Sequence, residues 1–150
     1  MKHTISVLVK NEPGVLCRIA NLFSGRGYTI DSLTVATTLD ENYARFTIVT
    51  VGEDEVVGQI TSQLRKIVPV IRVEDLSKNI ATTFELIFIK VVKNIYLESI
   101  VDKFGAKIID DTDNICTIQA VCKTHQIQEL VDLLNQFEIK DLVRSGAVSI

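Results

Sequence analysis

Ile5, Val7 and Val9 alternate with Thr4, Ser6 and Leu8, a period of two that predicts a strand ending near Lys10. The segment Lys10-Asn11-Glu12-Pro13-Gly14 breaks that strand, and from Val15 the spacing changes. Val15, Leu16, Ile19, Ala20, Leu22 and Phe23 fall on one broad helical face, with Arg18, Asn21 and Ser24 off it. Gly25 and Gly27 close the helix with a left-handed cap. Tyr28 to Leu39 is β-branched and mostly uncharged, Asp40-Glu41-Asn42 is a polar turn, and Tyr43 to Val51 sets Ala44, Phe46 and Ile48 on one face. That pattern predicts a hairpin. A second helix opens at Gly52-Glu53-Asp54-Glu55, where the acids complement the helix dipole, and Val57, Ile60, Leu64 and Ile67 share its inner face. It must stop before Pro69, because a proline pushes the preceding residue out of the α region. Val70 to Leu76 is a fourth strand.

After the polar linker Ser77-Lys78-Asn79 the same order returns. Thr83 to Val92 is apolar on both faces and reads as a strand buried on both sides. Leu97, Ile100, Val101 and Phe104 have helical spacing within Tyr96 to Phe104. Ala106 to Ile109 and Ile115 to Cys122 flank the turn Asp110-Asp111-Thr112-Asp113-Asn114. Ile127, Leu130, Val131 and Leu134 mark a last helix, and Glu138 to Val143, then Ala147 to Ile150, end the chain in extended form. The fold class is therefore α+β, two ferredoxin-like βαββαβ sandwiches over residues 1–77 and 78–150. Each half is near the size at which a lone core is marginal, so docking or oligomerisation is expected.

Composition narrows the function. The 150 residues carry 16 Lys plus Arg against 19 Asp plus Glu, a net charge of −3, which argues against a polyanion-binding surface. Only 6% of residues are aromatic, and the strands present Val, Ile and Thr where RNA-recognition modules of the same βαββαβ order stack bases. Nucleic acid is not expected as a partner. Cys17, Cys116 and Cys122 form no CxxC pair, and an odd count suits a reducing compartment. No segment reaches the roughly 20 apolar residues of a membrane span, and no signal peptide is evident, so a cytoplasmic protein is expected.

A search for chemistry finds no catalytic constellation. His3 and His125 have no Cys or carboxylate at metal-ligand spacing, and read better as the opening of a strand and the first turn of a helix. Asp110, Asp111 and Asp113 form the best carboxylate group for a hard cation, yet Asp and Asn also favour the tight reversal expected there. Glu53-Asp54-Glu55 reads as a solvated helix start. Ser24-Gly25-Arg26-Gly27-Tyr28 contains a GxG, but it follows a helix, where no N-terminal amides point at a phosphate. What remains is the loop at Asn11 to Gly14. A strand, a Pro-Gly turn and a helix whose first amides lack intrahelical partners make a pocket for a small anion such as a carboxylate. Gly14 leaves room for a ligand near the backbone, and Asn11 offers a donor and an acceptor. The same features also describe an ordinary turn.

Asn11-Glu12-Pro13-Gly14-Val15-Leu16, with Arg18-Ile19-Ala20 and Leu22-Phe23, resembles the signature of ACT domains, small amino-acid-sensing modules. The run from Phe23 through Gly25, Gly27, Tyr28 and Asp31 to Val35 is similar to one family within them, the small regulatory subunit of acetohydroxyacid synthase, also called acetolactate synthase. Arg45 to Val49, Gln63 to Val68, Val70 to Val73 and Arg144-Ser145-Gly146 extend the likeness along nearly the whole chain, more loosely after residue 80.

The resemblance implies a non-catalytic partner of a large catalytic subunit that carries thiamine diphosphate, magnesium (Mg) and FAD, with no cofactor on this chain. It implies activation of that subunit, feedback inhibition by valine or a related branched-chain amino acid, and a homodimer through the ACT domain. It also places the effector between two ACT domains. Asn11 would bond its polar end, the amides around Gly14, Val15 and Leu16, in the loop that Pro13 shapes, would hold its carboxylate, and Thr29 and Ile30 of the neighbouring copy would enclose it. The family often has Asn where this chain has Thr29; threonine is shorter and lacks the amide's paired donor and acceptor, so that contact is lost, shifted or made through water. Two other readings compete. A free-standing amino-acid-sensing module for another enzyme or a transcription factor gives no reason for the second domain, and a small enzyme on this fold lacks acid and base groups.

Overall fold

The computed structural model describes residues 1–78 and 80–150; Asn79, in the expected linker, lies outside the described residues. The first pass comprises β1 (Lys2–Lys10), α1 (Val15–Gly25), β2 (Ile30–Thr37), β3 (Tyr43–Val51), α2 (Asp54–Leu64) and β4 (Val70–Asp75). The second comprises β5 (Thr83–Val92), α3 (Leu97–Lys103), β6 (Lys107–Thr112), β7 (Ile115–Lys123), α4 (Thr124–Leu134) and β8 (Ile139–Ser149). Each builds a four-stranded sheet, ordered β2-β3-β1-β4 and β6-β7-β5-β8. The α+β class and the doubled βαββαβ order are thus present in the structure.

The alternation in β1 explains the first core. Ile5 stands opposite Ile48, Val7 opposite Phe46 and Val9 opposite Ala44, so from Ile5 to Val9 one side of the two central strands is apolar. Val15, Ile19 and Phe23 of α1 and Val57, Ile60 and Leu64 of α2 cover it. Burying each such aliphatic side chain is worth about 1.5–3 kcal/mol, and these residues are all but inaccessible to solvent. The second core repeats the plan with Ile87, Ile89 and Val91 under Leu97, Ile100, Ile127, Leu130 and Leu134.

Four expectations change. First, α2 ends at Leu64, before Ile67; the chain leaves through tight turns in which the Lys66 amide donates to Gln63 O (3.0 Å) and that of Ile67 to Leu64 O (3.1 Å). Ile67 still packs on the core from this turn. Second, β5 is buried on one face only: Phe84 and Lys90 are exposed while Ile87, Ile89 and Val91 are buried, because the helices of its unit lie on one side. Third, β6 runs on to Thr112, so Asp110 and Asp111 are strand residues. The reversal needs only Asp113 and Asn114, both at positive φ (55° and 62°), as a two-residue hairpin turn requires. Fourth, the two extended segments at the end are one strand, β8.

By contacts the chain falls into two units, Met1–Ile80 together with Ala147–Ile150, and Ala81–Gly146. The last four residues thus group with the first unit, although a boundary after residue 77 would assign them to the second. Within the second unit, Arg144 on β8 forks onto the buried carboxylate of Glu85 on β5, Nε to Oε1 at 2.7 Å and Nη2 to Oε2 at 2.9 Å.

Candidate functional site

The loop between β1 and α1 is held by both the main chain and the side chain of Asn11. The Asn11 amide donates to Asn42 O (2.7 Å), and its side-chain Nδ2 donates to Glu41 O (3.0 Å), so the loop is tied to the β2–β3 turn. This leaves Oδ1 of Asn11 as the acceptor on that side chain. The Glu12 amide donates to Lys10 O (2.9 Å), and the chain turns into α1 at Gly14. Gly14 is the N-cap residue, at φ 84°, and no side chain caps the helix. A Cβ built on Gly14 would meet nothing within 4 Å. Glycine is demanded here by torsion, since L-residues avoid this region; the space around it is open with or without a side chain.

The amides at this helix start are unequally free. Val15 N donates weakly to Glu12 O (3.4 Å), whereas Arg18 N closes the first turn on Gly14 O at 3.0 Å. Leu16 and Cys17 have no helical carbonyl four residues back to donate to. The first turn contains no acidic residue, so the positive end of the helix dipole is not offset by its own side chains.

Beside these amides lies a pocket of about 150 Å³ lined by Asn11, Gly14, Val15 and Leu16, together with Val9, Lys10, Glu12, Val35, Ala44 and Phe46. Four of the expected site residues therefore share one pocket. Pro13 is exposed in the turn and shapes it without lining it. Thr29 and Ile30 stand apart from this pocket within one chain, at the head of β2: Thr50 Oγ1 donates to Thr29 O at 2.6 Å, and Ile30 pairs with Thr50 and packs on the core. The sequence reading passed over Val35, Ala44 and Phe46. Their signal was the strand period, which puts these three on the side of the sheet that faces α1.

The other candidate groups resolve into structure. Asp111 accepts from Lys93 Nζ and from Cys116 Sγ (3.6 Å), and Asp110 accepts from Thr112 Oγ1 (2.9 Å). The hydrogen bond from Lys93 holds the Asp111 carboxyl below its ordinary value and raises that of the lysine. Burial, with Asp111 alongside, pushes the Cys116 thiol up, and burial alone does the same to Cys122. Among the described residues no group of three or more His, Cys, Asp or Glu is placed to hold a metal ion. His3 is buried, its Nε2 3.2 Å from Gly52 O and its Nδ1 3.3 Å from Ser77 Oγ, while His125 is exposed in the first turn of α4. No described helix is long and apolar enough to cross a membrane.

Comparison with known proteins adds an independent line. The family profile "AHAS small subunit-like ACT domain" matches residues 5–72, and "Small subunit of acetolactate synthase" matches residues 84–150. The acetolactate synthase small subunit of Mycolicibacterium smegmatis is 37% identical over 99% of this chain and 89% of its own length. The isozyme 3 small subunit of Salmonella typhimurium is 37% identical over 100% of this chain and 95% of its own. The crystal structure of the Thermotoga maritima acetolactate synthase small subunit superposes with a TM-score of 0.89, at 30% identity, covering 100% of this chain and 96% of that one.

Proposed function

Since the chain belongs to the acetolactate synthase small-subunit family, we propose that it is the non-catalytic regulatory partner of a large catalytic subunit in the cytoplasm, where it raises that subunit's activity and makes it sensitive to valine or another branched-chain amino acid. On this reading the thiamine diphosphate, magnesium and FAD sit on the catalytic chain, which condenses pyruvate with a second 2-keto acid at the start of branched-chain amino-acid synthesis.

The observation that carries the effector reading is the pocket at the β1–α1 loop, where a left-handed Gly14 delivers an uncapped helix start beside Asn11. Its volume is about five times a water molecule's share of the liquid, which suits a small amino acid. The effector carboxylate sits on the free amides of Leu16 and Cys17, and its ammonium group on Oδ1 of Asn11, the acceptor that the Glu41 contact leaves over. Thr29 and Ile30 of a second copy close the site across a homodimer. Because such a site spans two copies, the effector favours one arrangement of the dimer, and the catalytic subunit responds to that shift in population.

The test mixes the purified chain with its catalytic subunit and follows acetolactate formation with and without valine. The expected result is no turnover by the chain alone, higher activity of the mixture, and inhibition of the mixture by valine. Unchanged activity under every condition would sink the proposal and leave an amino-acid-binding module with a different client.

A further inference from the structure

A second cavity lies on the opposite face of the same sheet. It measures about 780 Å³, spans β2, β3 and β1, and is flanked by Val148 and Ile150, which belong to the same unit. The strand period separates it from the loop pocket: Val35, Ala44 and Phe46 line one, whereas Thr34, Ala36, Arg45 and Thr47 line the other, and no residue is shared.

Register builds its floor. Arg45 stands directly between Leu8 on β1 and Ala36 on β2, so one charged side chain crosses an apolar row, and small Ala36 leaves space beside it. Leu39, Ile71, Val148 and Ile150 make the surrounding walls apolar. Arg45 is half-buried, yet among the described residues its guanidinium has neither an ion pair nor a side-chain hydrogen bond. Asp40 at the rim already accepts from the Asn42 amide (3.0 Å) and from Asn42 Nδ2 (2.8 Å), and Ile150, whose main-chain carboxylate is the other one in the lining, is engaged in an interaction of its own. Arg72, next along the same row beyond Leu8, is satisfied by Glu74 at 2.6 Å. An unpaired guanidinium in an apolar recess favours an anion, and its planar fork fits a carboxylate best. The volume falls in the range of about 300–1,000 Å³ typical of small-molecule sites, and the walls call for an aliphatic body.

We propose that this cleft binds a small aliphatic carboxylate, its head forked onto Arg45 and its chain lying against Leu39, Ile71, Val148 and Ile150. The site is independent of the loop pocket and of whatever that pocket binds.

Isothermal titration of the full chain with hexanoate tests it, with hexanol and hexylamine as controls. Hexanoate binds, and the two controls bind at least about tenfold more weakly. Arg45→Gln weakens hexanoate by about tenfold or more. Arg45→Lys, which keeps the cation and loses the fork, weakens it by about threefold and serves as the readout should the glutamine variant fail to fold. Asn11→Ala, in the other pocket, leaves hexanoate affinity within about twofold. No binding by the wild type up to about 20 mM, equal affinity of hexanol, or equal affinity of Arg45→Gln would each overturn the proposal. So would a change in sedimentation mass caused by Arg45→Gln without ligand, which would put a second copy of the chain in the cleft.

Discussion

At the scale of single residues, the β1–α1 loop rests on two residues with separable roles. Gly14 supplies a torsion, φ 84°, in open space. Gly14→Ala therefore costs about 1–2 kcal/mol from backbone strain alone, read as a lower urea midpoint at unchanged slope. A variant as stable as the wild type would mean that the loop relaxes to negative φ without loss. Asn11 supplies a tether to Glu41 and a free oxygen. Asn11→Ala is expected to weaken valine inhibition while activation of the catalytic subunit stays near normal, since the main-chain bond from Asn11 to Asn42 survives the change. Parallel loss of both would assign the loop to contact with the catalytic subunit. Asn11 and Gly14 were legible in the sequence, because a Pro-Gly turn announces itself, whereas the sign of φ at Gly14 and the emptiness around it are three-dimensional facts.

Among the elements, β8 is pinned to β5 by a buried charge. Glu85 is 3% exposed and Arg144 40% exposed, so removing the arginine strands a carboxylate in the interior. Arg144→Ala is expected to cost about 2–3 kcal/mol in urea unfolding, less than a fully buried pair because the arginine is partly solvated. The double variant Glu85→Leu/Arg144→Met should recover most of that loss, as apolar replacements of buried pairs do; a single-variant loss under about 0.5 kcal/mol would rank the pair with surface ion pairs. Elements were legible wherever one face is buried. The alternation of Ile5, Val7 and Val9 fixes a strand, and the run from Val15 to Phe23 fixes a helix. Legibility failed where composition hides the geometry. In Asp110 to Asn114, five turn-forming residues conceal a reversal that uses two, and the apolar outer face of β5 looks from sequence like a second buried one. The cleft at Arg45 was invisible for another reason: Leu8, Ala36 and Arg45 are distant in sequence and meet only through register.

For the molecule as a whole, the repeated βαββαβ order was readable because the linker at Ser77 and Lys78 is polar and the period restarts after it. Membership of a small-subunit family turns the stability of each half into a question about assembly, and the mixing experiment with the catalytic subunit belongs at this scale. The return of Ala147–Ile150 to the first unit was not readable, because nothing in four small and aliphatic residues says which sheet they reach. That return has a bearing on biosynthesis. The strands and helices of the first unit are complete once β4 leaves the ribosome, but Val148 and Ile150, which flank the face carrying Leu8 and Thr47, emerge only after the whole of Ala81–Gly146 has been made. At about 5–20 residues per second that delay is roughly 3–13 s, during which the nascent chain presents a half-dressed sheet to chaperones.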